Sequence, residues 1–169
     1  LTKKIVNFVK VEKDPQKIAA IFKESEELDS EALGVYLGSS SDLARDIGKA
    51  YFNLFPWSGL EPDDALRKLC SLIKLPGESQ QIDRVLETLS EVFFKANPSV
   101  GADSQAIYTL FFILLMLNTD AHNAVIPAAN KMTKENFLKM ASGSVAGFDD
   151  ATLGKLYDKV VANKIDLHK

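Results

Sequence analysis

Cysteine is nearly missing from this chain. Cys70 stands alone, which excludes an internal disulfide and a thiolate metal cluster and suits a reducing compartment. Histidine is almost as scarce, with His122 and His168 the only two, and no Gly-x-Ser-x-Gly occurs, so nucleophilic catalysis has few candidates. Glycine-rich phosphate loops are lacking too, because Leu75-Pro76-Gly77-Glu78-Ser79 has neither the glycine spacing nor the Lys-Ser/Thr of a P-loop. The longest apolar run, Leu110 to Leu117, has eight residues, against the roughly twenty of a membrane-spanning helix. No signal peptide is visible. A net charge of −3 without a dense Lys/Arg run predicts no nucleic-acid partner.

What remains is an ordinary globule of 169 residues, 46% hydrophobic and 25% charged, read as one domain over 1–169. It begins at Leu1 without methionine and is expected to be part of a longer protein. Alternating strand patterns are lacking, and Gly and Pro fall between helical stripes. The reading is all-α, with about nine or ten helices.

Leu1 to Val11 is a weakly amphipathic lead-in. Asp14-Pro15 cap a helix to about Leu28 with Ile18, Ile21 and Phe22 inward. Ala32, Leu33 and Leu37 mark a second helix stopped near Gly38. Ser41 caps a third, carrying Leu43, Ile47, Ala50, Tyr51 and Leu54. Phe55 to Gly59 is an aromatic turn. Pro62 opens a helix with Leu66, Leu69, Cys70 and Ile73 on its apolar face, so Cys70 is expected to be buried. Thr133 and Asp149 cap the last two helices; Leu153, Leu156, Tyr157, Val160 and Val161 form the final stripe, with Asn163 as a possible left-handed stop.

Two stretches stand apart. Pro76-Gly77 predicts a tight turn of type II, which requires positive φ at the glycine and leaves Glu78 at its tip. Ile82, Val85, Leu86, Leu89 and Phe93 then form one helical stripe ending before Asn97-Pro98. The second stretch, Asp103 to Leu117, ends apolar on every side and then reaches Asn118 to Asn123, whose side chains favour a helix end. Such a helix is buried all round, or it shows one face to a partner. Asp120 and His122 lack the further ligands of a metal site and read as capping groups. Asp149-Asp150 near Asp158 lacks the spacing of an EF-hand. No metal or cofactor is expected.

The segment Leu75-Pro76-Gly77-Glu78-Ser79-Gln80-Gln81-Ile82-Asp83-Arg84 resembles the first signature of the Sec-seven domain, the exchange module for Arf-family small GTPases. Phe112 to Asn123 resembles its second signature, at the family's separation. Gly34 to Gly38, Asn97-Pro98, Lys131-Met132-Thr133 with Phe137, and Leu156-Tyr157 extend the likeness over nearly the whole chain from about Asp14.

The resemblance implies a right-handed superhelix of about ten helices with a hydrophobic groove for the GTPase switch regions. Tyr108, Phe112 and Met116 would bind the partner there. Asp120 and Asn123 would form a polar rim, with Asp83 on the neighbouring helix. Glu78 matches the family's glutamic finger, positioned by Pro76 and Gly77. The partner would be an Arf-family GTPase, GDP-bound or nucleotide-free. No covalent chemistry is implied, so the chain is not expected to be an enzyme in that sense. A cytoplasmic protein at endomembranes is implied, its membrane contact made through the GTPase or further domains. Ile73 and Lys74 replace the usual Phe and Arg, Ala121 a usual Leu and Ala124 a usual Pro. The segment Ala124 to Asn130 is about two residues longer than usual. Phe112-Ile113 stands where members responsive to brefeldin A carry Tyr-Ser, whereas Asp120 and Met132 resemble responsive members; insensitivity is expected because Ile113 removes a hydroxyl and adds bulk. The competing readings are a helical adaptor that binds a GTPase without promoting release, and a metal-dependent hydrolase using Asp120 and His122.

Overall fold

The computed structural model describes residues 12–25 and 28–167; the expected lead-in Leu1 to Val11 lies outside them. Within the described residues the chain is all-helical, with eight α-helices, a short 3-10 turn and no strand. They are α1 Pro15–Glu24, α2 Ser30–Leu37, α3 Asp42–Asn53, α4 Pro62–Leu72, α5 Ser79–Ala96, α6 Ser104–His122, the 3-10 turn Ala128–Asn130, α7 Lys134–Ser142 and α8 Asp150–Ala162.

Side-chain caps open six of these helices. Asp14, Asp29, Ser41, Asp103, Thr133 and Asp149 each accept a hydrogen bond from an amide of the first turn, a bond worth about 1 kcal/mol. Only α4 and α5, which begin after Glu61 and Glu78, have none.

The centre of the molecule is the pair α5 and α6. Their apolar stripes bury Val85, Leu86, Leu89 and Phe93 against Ile107, Leu110, Phe111 and Leu114, all fully inaccessible. Phe93 and Phe111 meet edge-to-face at 5.6 Å, and truncating either ring to alanine is expected to cost about 3–5 kcal/mol. α3 lies against α1 and α5, whereas α8 lies against α6 and α7. Asn97 locks the end of α5 to the aromatic turn, accepting from Gly59 N at 2.8 Å and donating to Trp57 O at 3.0 Å.

Several local expectations change. Helix α1 ends at Glu24, short of Leu28, and Ile21 and Val161 face outward. Asn163 is extended (φ −133°) rather than left-handed, because the chain continues straight on after α8. The expected stop at Asn118 is also overridden, and α6 runs on to His122. Asn118 finds a partner elsewhere in the fold, and Thr119 bonds back to Leu115 O of the preceding turn at 3.1 Å, a bond compatible with the helix continuing.

Candidate functional site

After α4 the chain drops Ile73 into the core and runs along α2, with Lys74 N donating to Ser30 O at 3.2 Å. Two glycines one turn apart make this approach possible. A Cβ on Gly34 would overlap the Lys74 carbonyl oxygen and lie 3.6 Å from Pro76 Cδ, and one on Gly38 would meet Gln81 at 2.8 Å. Arg84 Nη1 donates to Gly38 O at 3.1 Å, tying the second turn of α5 to the C-cap of α2.

Pro76 is buried in this seat, while Gly77 and Glu78 stand in solvent. The expected type II turn is not formed. Positive φ among the described residues belongs to Gly59, Gly101 and Gly147, so Gly77 stays in the ordinary region, and a side chain on it would meet nothing within 4 Å. The buried Pro76 and the Gly34 contact hold the bend instead.

Glu78 occupies the N-cap of α5 with an extended backbone, and its carbonyl accepts from Gln81 N and Ile82 N at 3.1 Å. Its carboxylate makes no capping bond, and no ion pair engages it among the described residues. It therefore stands uncommitted near the positive end of a helix of 18 residues.

Beside this bend lies an open groove of about 730 Å³. Lys74 to Gly77 form one edge, Val35 of α2 contributes to the lining, and α6 supplies Phe112, Leu115, Met116, Thr119 and Asp120. Their spacing (i, i+3, i+4, i+7, i+8) makes them one helical face. Phe112 and Met116 are 40% and 44% exposed while Leu110, Phe111 and Leu114 are sealed, so α6 is buried on one side and open on the other. Val35, Phe112 and Met116 are three of the six large hydrophobic residues left exposed among the described residues. Their gathering in one concavity makes this groove the candidate docking surface.

The expected rim residues divide. Asp120 borders the groove, yet its Oδ2 already accepts from Met132 N at 2.7 Å. Lys131 Nζ donates to the Asp120 and Asn123 carbonyls, both at 2.9 Å, and so caps the C-terminus of α6 with a cation. Asn123 borders a separate small cavity and shapes the next loop by accepting from Val125 N at 3.0 Å. Asp83 and Tyr108 are absent from the groove lining. They face each other instead: burial, then the adjacent Asp83 carboxylate and the charge of Glu87, push the Tyr108 phenol above its usual pKa. Val35, Ile126 and Leu167 enter the lining unanticipated. Helical periodicity could have flagged Val35, which lies off the Leu33–Leu37 face of α2.

The metal-hydrolase arrangement is not assembled. His122 Nε2 lies 2.7 Å from Val160 O, and Asp120 is tied to Met132. Glu61, Asp63 and Asp64 do converge, but Lys159 Nζ sits among them at 2.6, 2.9 and 3.2 Å. Burial alone would lower its pKa; the three carboxylates outweigh that and raise it far above the usual lysine range. No described helix is long and apolar enough to cross a membrane.

The profile of the Sec7 domain matches residues 2–165. The brefeldin A-inhibited guanine nucleotide-exchange protein 2 of Arabidopsis thaliana is 34% identical over 165 residues, covering 96% of this chain and 9% of its own length. The chain thus spans a small part of that relative. The N-terminal Sec7 domain of RalF superposes with a TM-score of 0.83 at 33% identity, over 98% of this chain and 83% of that one. A Sec7 domain solved with ARF1-GDP and brefeldin A gives 0.77 at 26%, over 92% and 78%. With two glycines seating the bend before α5, an apolar groove beside it, and a profile match running almost end to end, the chain belongs to the Sec7 domain family.

Proposed function

We propose that this chain promotes nucleotide release from an Arf-family small GTPase, with Glu78 as the group aimed at the nucleotide. The observation that carries the reading is the position of Glu78, an exposed carboxylate without an internal partner, next in sequence to Gly77 on the edge of an apolar groove though not itself in its lining. The groove takes the GTPase switch regions on Phe112 and Met116. Docking brings Glu78 toward the Mg²⁺ and β-phosphate site, where its charge repels the phosphate, disfavours the metal and offers the P-loop lysine another partner. The solved pairing of ARF1-GDP with a related domain supports the choice of partner.

Two unit charges about 4 Å apart interact by roughly 1 kcal/mol in water and about 4 kcal/mol at an effective dielectric of 20. Each 1.4 kcal/mol is about tenfold, so one well-placed carboxylate accounts for up to roughly three orders of magnitude. Remodelling of the switches supplies the remainder. By linkage, a domain that grips the nucleotide-free GTPase more tightly is loosened in equal measure when nucleotide returns. The cycle makes and breaks no covalent bond. Membrane association comes through the GTPase or through segments outside this chain, placing the activity at endomembranes facing the cytoplasm.

The test is release of GDP from a panel of Mg²⁺-GDP-loaded Arf proteins by wild type and by Glu78→Lys. Acceleration by the wild type that drops at least about a hundredfold in the variant, with binding to nucleotide-free GTPase retained, is expected. A wild type that binds but accelerates no member favours the adaptor.

A further inference from the structure

Beyond α8 the chain does not leave the molecule; residues 163–167 form a short strap carrying Ile165 and Leu167. It is gripped from both sides. Arg67 donates to Asn163 O at 2.8 Å, Lys164 O at 3.0 Å and Lys159 O at 3.5 Å. The Asn118 side chain uses both its groups on one residue, donating to Ile165 O at 3.0 Å and accepting from Ile165 N at 2.8 Å. Asn118 is 2% exposed and Ile165 is sealed. A buried amide stripped of these bonds would carry the full cost of its lost hydration, so the position of the strap at Ile165 is strongly specified.

Extended chain repeats its facing every second residue. With Ile165 turned into the core, Leu167 falls on the same side and arrives at the groove, where it joins Thr119 and Asp120 in the lining. Four hydrogen bonds tie the strap, and its last described residue is a leucine that lines the groove.

We infer that the strap Asn163–Leu167 is a built wall of the groove, with Leu167 a contact for the bound GTPase and Asn118 and Arg67 the residues that position it. The inference rests on the exchange reading and adds a specificity element that neither signature contains. Asn118 connects the two: it lies within the second signature but acts through the strap.

The experiment is steady-state exchange on Mg²⁺-GDP-loaded Arf protein with the whole chain and the variants Leu167→Asp, Asn118→Ala and their combination. Leu167→Asp is expected to raise KM about tenfold, the share of a leucine side chain buried on docking, and to leave kcat within about twofold, since Glu78 is untouched. Asn118→Ala should raise KM similarly and abolish slow amide exchange at Ile165. The double variant should be no worse than Asn118→Ala alone, a non-additivity that general destabilisation does not produce. Leu167→Asp and wild type are compared by thermal melting, so the inference does not depend on Asn118→Ala folding. Unchanged KM in Leu167→Asp beside an active wild type overturns the wall and leaves the exchange reading standing. A lowered KM overturns it as well, since the strap would then obstruct the groove. An inactive wild type removes both.

Discussion

The carbonyl oxygen of Lys74 occupies the space where a side chain on Gly34 would begin. This contact sets the height of the loop that carries Glu78. Gly34→Ala must push the loop away or distort α2, an overpacking cost of about 1–3 kcal/mol. Exchange is expected to suffer more than the fold, because a displacement of about 1 Å at a reacting group costs about a hundredfold. Paired melting and GDP-release measurements check this; a fall in melting temperature with exchange intact would mean the loop adapts.

Phe112 and Met116 keep 40% and 44% of their surface in water. Truncating either to alanine should change stability by no more than about 0.5–1 kcal/mol. Binding to nucleotide-free GTPase should weaken by about 2 kcal/mol for each, as for central apolar anchors. Isothermal titration beside thermal unfolding separates the two quantities, and a large stability loss would return these residues to the core.

Burial, reinforced by the charge of Asp166, pushes the Cys70 thiol up to about 12. The sign follows from the folded value exceeding the ordinary value of 9.0. The folded chain holds this proton more tightly, so the associated stability is present below pH 9 and fades as pH rises toward 12. At pH 8 native protein should resist a thiol reagent that labels the unfolded chain within minutes. Fast labelling without denaturant would contradict the buried position.

Ile113 follows Phe112 on α6, is only 5% exposed, and brings bulk and no hydroxyl to its position. Exchange is expected to be unaffected by brefeldin A. Dose–response with the drug on Arf substrate decides it, and strong inhibition would defeat the expectation.

The helices were readable because their signals are local. Asp14-Pro15, Ser41, Thr133 and Asp149 announce helix starts, and the stripe from Val85 to Phe93 announces a buried face. The face of α6 bearing Phe112 and Met116 was legible in outline as excess apolar surface. What failed depended on distant partners. Asn118 looked like a helix end until Ile165, 47 residues away, satisfied it. Asp120 borders the groove as expected, but its bond from Met132 N, twelve residues on, had no local signal. Leu167 gave no signal at all, because its place in the groove is fixed by Asn118 and Arg67 rather than by its neighbours.

Gly77 shows how a backbone can be permissive without being forced. Its φ is one any residue adopts, and a side chain there would project into empty space. The isolated chain thus has no stake in the identity of residue 77 and would fold with alanine in its place. What a methyl group would occupy is open space beside Glu78. On the proposed exchange reading, Gly77→Ala should therefore leave the melting temperature unchanged and weaken exchange.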